Sequence, residues 1–223
     1  MKEVLRARRA VPVFPLPALV FFPYAAVPLH IFEPRYRRMT EDALETDRLI
    51  ALALLQPGWE GDYQGSPPVH AVACAGLIEQ EVRLPDGRFN LQLRGVTRVE
   101  IRDFVQDSPY RVATVRVLDD QNEDGGEEVE GEKRRLLASC ASLLQEISGA
   151  GQHPMALDTG VPFALIVNTL CQTLALDPTA KQQLLEQNDL LLRCRSLIDI
   201  LDRRWQEIAL RHVDQNGSPG EVH

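Results

Sequence analysis

His70 and Cys74, four residues apart, are the only close pair of soft metal ligands in the chain. On a helix that spacing could bring both to one zinc ion. Residues 71–83 read as a strand, however, where four residues span about 13 Å, far beyond zinc bonds of about 2 Å. The pair therefore reads as a loop-end histidine and a core cysteine. His30 lies in Pro28-Leu29-His30-Ile31-Phe32 with no second His or Cys beside it. It reads as a buried histidine bonded to backbone. Glu79 and Glu81 share one face of a strand, and Glu41, Asp42 and Glu45 crowd a short stretch. General acid–base work needs such carboxylates desolvated in a cleft, and these read as solvated faces. No metal, cofactor or catalytic residue is expected.

Phosphate chemistry is scarce too. The three lysines, Lys2, Lys133 and Lys181, follow Met1, Glu132 and Ala180, so no Gly-Lys-Ser/Thr loop exists to cradle a nucleotide. Neither Gly-x-Ser-x-Gly nor His-Glu-x-x-His occurs. The run Glu33-Pro34-Arg35-Tyr36-Arg37-Arg38 reads either as a phosphate-binding cluster or as ion pairs, and the acids at 33, 41, 42 and 45 favour pairing. Leu19-Val20-Phe21-Phe22-Pro23-Tyr24 is apolar at both parities. It is either core on both sides or an exposed patch for a partner.

The elements that position these residues change character along the chain. Prolines at 12, 15, 17, 23 and 28 force extended pieces and suit strand starts and edges. Pro34 can open a helix over 34–46 with Tyr36, Met39 and Ala43 or Leu44 inward. Residues 49–55 read as a strand buried on both sides. Residues 71–102 form a hairpin about Leu84-Pro85-Asp86-Gly87, and Phe89, Leu91, Leu93, Val99 and Ile101 alternate with polar residues. Gly95 interrupts that alternation and predicts a bulge or bend. After residue 132 the period becomes helical: Leu136, Cys140, Leu143 and Ile147 on one face, Phe163, Val167, Leu170 and Leu174 on the next. Asp177-Pro178 starts a third helix, and Asn188 looks like the cap of a fourth carrying Leu190, Cys194, Leu197, Leu201, Trp205 and Ile208.

The 223 residues carry a net charge of −8. Residues 1–118 hold 15 basic against 14 acidic side chains. Eight acids fall between 119 and 132, with three glycines and no basic residue. A flexible acidic linker is expected there, separating a β-rich domain at 1–118 from a helical bundle at 133–212, with a disordered tail at 213–223. The charge balance argues against a duplex-DNA binder, which draws its affinity from phosphate contacts. Four scattered cysteines read as reduced and buried, not as a secreted disulfide framework. The basic start at 1–9 imitates a signal peptide, but prolines break the apolar stretch after it. No membrane span is expected, and the expected location is cytoplasmic.

Val11-Pro12-Val13-Phe14-Pro15-Leu16-Pro17, Phe22-Pro23 and Pro28-Leu29-His30-Ile31-Phe32-Glu33-Pro34-Arg35-Tyr36 closely resemble the start of the Lon protease N-terminal (substrate-binding) domain. Gly87-Arg88-Phe89-Asn90-Leu91, Leu93-Arg94-Gly95-Val96-Thr97-Arg98 and Lys181-Gln182-Gln183-Leu184-Leu185-Glu186 resemble its later elements, so the likeness covers about 9–212. The resemblance implies an α+β fold: an N-terminal β-rich PUA-like pseudo-barrel followed by a C-terminal α-helical bundle. It implies a stand-alone, non-catalytic adaptor, without the family's ATPase and protease domains, that engages unfolded polypeptide or a partner protein. Leu19, Phe21, Phe22 and Tyr24 are the candidate peptide-binding residues. His30, Glu33, Arg35, Tyr36, Gly95 and Arg98 belong to the family pattern and are expected to be structural. A nucleic-acid-binding PUA-like module, using Arg35, Arg37, Arg38, Arg94, Arg98 and Arg102, and a hydrolase with an unrecognised site are the rival readings.

Overall fold

The computed structural model describes residues 1–7, 10–62, 65–123, 126–148 and 160–216. In chain order the elements are α1 (Lys2–Ala7), β1 (Val11–Leu16), β2 (Ala26–Ile31), α2 (Pro34–Leu44), β3 (Leu49–Leu54), β4 (Val72–Arg83), β5 (Phe89–Gln106), β6 (Arg111–Leu118), α3 (Glu127–Ser148), α4 (Phe163–Thr173), α5 (Pro178–Glu186) and α6 (Leu190–Asn216).

Five strands close a ring. β1 pairs with β3 in parallel and with β6 antiparallel, while β3–β4, β4–β5 and β5–β6 are antiparallel. β2 stands outside the ring and, among the described residues, pairs only with the first part of β5. The uniformly apolar β3 explains itself here, because successive side chains point to opposite faces. Leu49, Ala51 and Ala53 join a cluster drawn from all five ring strands, including Val11, Val13, Ala73, Ala75, Val99 and Ala113. Small side chains dominate it, as a narrow five-strand ring requires. Ile50 and Leu52 join a second cluster, outside the ring, with Phe14, Phe21, Ile78, Leu93 and the Tyr36–Met39–Ala43 face of α2.

The β1 prolines were expected at edges, yet β1 belongs to the closed ring. The register resolves this. β6 pairs with residues 11–13 and β3 with residues 13–16, so Pro12 and Pro15 each lie where β1 has one neighbour. Their missing N–H groups then remove no ladder bond. The irregularity anticipated at Gly95 is a bulge: Ala75 pairs with Thr97 and Gly76 with Gly95, leaving Val96 as the extra residue.

Two compact units divide the chain, and neither is continuous: Met1–Asp120 with Leu165–Asn188, and Gln121–Ala164 with Asp189–His223. This differs from the expected split into 1–118 and 133–212. Leu165–Asn188 joins the first unit through polar bonds to strand and loop backbone. Gln172 Oε1 accepts from the Phe22 N–H at 3.1 Å, and Gln182 Nε2 donates to the Val72 carbonyl at 3.0 Å. In the second unit, α3 packs on α6. Arg195 bonds Glu132 and Ser139 bonds Asp202, both pairs 63 residues apart, so the two helices run parallel.

The acidic stretch is not wholly linker, since α3 begins at Glu127. Glu127, Glu128 and Glu130 occupy its first turn, where carboxylates offset the positive end of the helix dipole. Asp124 and Gly125 of that stretch lie outside the described residues. Residues 213–216, expected in the tail, continue α6, and 217–223 lie outside the described residues, as do the expected helix end at 149–151 and its surroundings. On α4 the buried face is Phe163, Ala164, Val167 and Cys171, with Leu170 and Leu174 only partly covered. The cap of α6 is Asp189, not Asn188. Asp189 Oδ1 accepts from the Leu191 and Leu192 N–H groups, while Asn188 Oδ1 is taken by Arg98.

Candidate functional site

The segment between β1 and β2 holds the four candidate peptide-binding residues. Phe21 (1 % exposed) and Phe22 (0 %) are both interior. Phe21 belongs to the outer cluster, and the partly buried Leu19 packs against that cluster. Of the four, Tyr24 stands most open, with 38 % exposure and a left-handed backbone at φ 68°. The apolar parity on both sides of this segment therefore marks core, and the patch it could have formed shrinks to Tyr24 and the edge of Leu19.

Gly95 explains how that segment lies so close to the sheet. A Cβ built there would collide with the Phe22 carbonyl oxygen, so backbone fills the place of a side chain. The Tyr24 N–H donates to the Gly95 carbonyl and the Gly95 N–H to the Ala25 carbonyl, both at 2.8 Å. These bonds fix the phase of β2 against β5. Hydrogen-bonded pairs alternate along an antiparallel ladder. Val27, Leu29 and Ile31 thus turn their backbone groups toward Leu93, Leu91 and Phe89, and Ala26, Pro28 and His30 turn theirs to the free side. Pro28 has no N–H to leave unpaired on that edge.

The exposed face of this sheet is half apolar. Ala26, Pro28 and His30 are exposed, and Phe32 follows at 59 %. Asn90 sits between His30 and Val82 in one cross-strand row. His30 was expected to be buried on backbone partners. Instead it is exposed: Nδ1 donates to Asn90 Oδ1 at 2.7 Å, Nε2 faces Arg88 Nη1 at 3.4 Å, and the ring stacks near Phe32. Phe32 and Val82 (57 %) are exposed apolar side chains that sequence reasoning passed over. Val82 shares the sequence parity of the buried Ile78, and the register shift between Ile78 and Gln80 turns it outward, while Phe32 lies just past the end of β2, so alternation alone could not have found them.

The remaining pattern residues are engaged by neighbours within the first unit. Glu33 accepts from Arg35 Nε at 3.0 Å, and the Arg35 guanidinium lies 4.7 Å over Tyr36, whose ring packs against Phe14. Arg98 is fully withdrawn from solvent. It pairs with Asp120 at 2.6 Å and donates through Nη1 to the Leu185 carbonyl and Asn188 Oδ1. Of the other arginines of a would-be basic face, Arg38 pairs with Asp42, Arg94 with Glu79 and Arg102 with Glu100, while Arg37 has no carboxylate partner among the described residues. Glu81 meets Arg48. His70 lies 3.3 Å from Glu186, and Cys74 is buried, its thiol pushed up by burial. Among the described residues no three His, Cys, Asp or Glu side chains gather as a metal site, and no helix is long and apolar enough to cross a membrane.

A family model for the substrate-binding domain of the ATP-dependent protease La (Lon) matches residues 10–203. The chain belongs to that family. Lon protease 2 of Herpetosiphon aurantiacus is 30 % identical over 95 % of the chain, and the Lon protease of Parabacteroides distasonis 27 % over 90 %. The chain spans only 26 % and 24 % of those proteins. The crystal structure of a Lon N-terminal domain protein from Xanthomonas campestris has a TM-score of 0.63 at 23 % identity, covering 86 % of this chain and 98 % of that one. The N-terminal domain of Mycobacterium avium complex Lon protease gives 0.62 at 20 %, covering 87 % and 98 %. These two establish the shared fold. The family match falls on the Lon substrate-binding domain, not on its ATPase or protease domains.

Proposed function

We propose that this Lon-type domain is a non-catalytic polypeptide-binding module that engages unfolded segments or a partner protein. The observation that carries this reading is the free edge of β2, whose outward backbone groups lie between the exposed side chains of Tyr24 and Phe32. An extended chain added there gains main-chain hydrogen bonds that are indifferent to sequence. Phe32, Val82 and Pro28 offer apolar contact on the adjoining face. The family's substrate-binding role supports the same reading. The carboxylate partners of Arg35, Arg38, Arg94, Arg98 and Arg102 weigh against a phosphate-binding face. Four buried thiols, none of them in a disulfide, fit a reducing, cytoplasmic setting.

The test is fluorescence anisotropy with reduced, alkylated lactalbumin as an unfolded probe. Saturable binding is expected, with little loss on raising salt, and the probe should stay intact. Phe32→Ser should weaken binding about tenfold, the value of a well-packed aromatic contact of about 1.4 kcal/mol. No saturation at about 100 μM would sink the reading, and a steep salt dependence would favour a polyanion instead.

A further inference from the structure

A narrow concavity in the first unit is lined by Pro15, Arg35, Tyr36, Asp107, Tyr110 and Arg111, where the end of β1, the first turn of α2 and the start of β6 meet. Its cavity volume is about 20 Å³. A single water needs about 10–15 Å³ on this measure, so the space takes one small polar group.

Arg111 gives the concavity its chemistry. The side chain is nine-tenths buried. Nη1 donates to the Pro67 carbonyl at 2.7 Å, and the guanidinium lies 3.7 Å over the Phe104 ring. Nε has no hydrogen-bond partner among the described residues. The Asp107 carboxylate stands 3.7 Å from it, beyond hydrogen-bond reach, and is itself mostly exposed. Burying a guanidinium is costly unless pairing and hydrogen bonds compensate. Here the compensation is partial, and burial lowers the Arg111 pKa. Arg35 also lines the concavity, its Nε held by Glu33 at 3.0 Å. The Tyr110 hydroxyl is committed elsewhere, donating to Asp42 at 2.7 Å.

We propose that this concavity binds one carboxylate of a polypeptide held by the domain, with Arg111 as its main ion-pair partner and Arg35 as the second. The small volume and the nearby acids Asp107 and Glu33 select a singly charged, planar group over a phosphate. The polypeptide as the source rests on the function proposed above; the carboxylate site itself does not.

The experiment follows the arginine Nε–H resonances of the ¹⁵N-labelled full chain during titration with sodium acetate, against sodium chloride at equal ionic strength. The Arg111 resonance should shift saturably and by more than that of Arg88, an exposed arginine already paired with Asp86. Asp107→Asn, at an exposed position, removes a competing carboxylate and should tighten acetate binding about threefold or more, whereas Arg35→Gln should weaken it by a similar factor. An Arg111 shift no larger than that of Arg88, or affinity unchanged in Asp107→Asn, overturns the site. Two peptides then separate the sources: one amidated with an internal glutamate, one acid-free with a free C-terminus. The peptide that reproduces the Arg111 shift names the source, and a neutral amidated peptide that reproduces it overturns the carboxylate. An acetate shift with no peptide response leaves the anion site standing and removes polypeptide as its source.

Discussion

Arg98 and Asp120 form an ion pair whose side chains are 0 % and 6 % exposed, at 2.6 Å. The same guanidinium reaches the end of α5 through the Leu185 carbonyl and the Asn188 side chain. Such a pair is a weak source of net stability, but removing one partner leaves the other charged and buried. Arg98→Ala should therefore cost about 3–5 kcal/mol, read as a shift in urea midpoint. Asp120→Asn should cost less, since Leu185 and Asn188 still hold the guanidinium. A loss under about 1 kcal/mol for Arg98→Ala would show the cluster to be dispensable.

Phe21 and Phe22 are adjacent and both interior. Truncating either to Ala should cost about 3–5 kcal/mol, with neither behaving as a surface position. Thermal unfolding of the two single variants checks this. One variant within about 0.5 kcal/mol of the parent would contradict the burial.

Two glycines should respond in opposite directions. Gly95→Ala places a methyl group on the Phe22 carbonyl and should lose about 3 kcal/mol or more, because backbone must move. Gly131 lies within α3 with open space where a Cβ would stand. Gly131→Ala should gain about 0.5–1 kcal/mol through the stiffer unfolded chain and better helix propensity. Denaturant titration of both variants is the measurement.

Burial pushes the Cys140 thiol from 9.0 up to about 11. Between those pH values the unfolded chain has lost this proton and the folded chain has kept it. Stability then falls as pH rises through the window, because the folded state binds more protons. Cys140→Ala should remove that part of the slope. The urea midpoint of the parent minus that of the variant should thus fall from pH 8 to pH 10.5. A constant difference would show that the thiol titrates alike in both states.

The strands were legible because their causes are local, whereas the barrel was an expectation from the family resemblance. Alternation at 89–101 and the Gly95 interruption are properties of one strand, and a fully apolar β3 means two covered faces wherever it occurs. The unit boundaries were not legible. Leu165–Asn188 joins the first unit through Gln172, Gln182 and Asn188, polar side chains whose partners lie far away in the sequence. Periodicity carries no trace of such bonds. The cap of α6 was misplaced by one residue for the same reason: Asn188 and Asp189 are equally good caps, and only the distant Arg98 decides between them. Phe22 could not be assigned to core or surface until its cover was known. Arg111 drew no attention, since an arginine in a strand reads as solvated unless the ring buries it.

The discontinuous first unit has a consequence for synthesis. Asp120 emerges from the ribosome well before Leu185 and Asn188, the groups that complete the cage around Arg98. At about 5–20 residues per second, the roughly 70 intervening residues take about 3–14 seconds. Through that interval the nascent sheet carries the Arg98 guanidinium without the Leu185 carbonyl and the Asn188 side chain. Co-translational folding of this unit is therefore gated by a helix made last, and a growing chain halted in the acidic stretch carries a barrel that is closed in topology yet unfinished in charge.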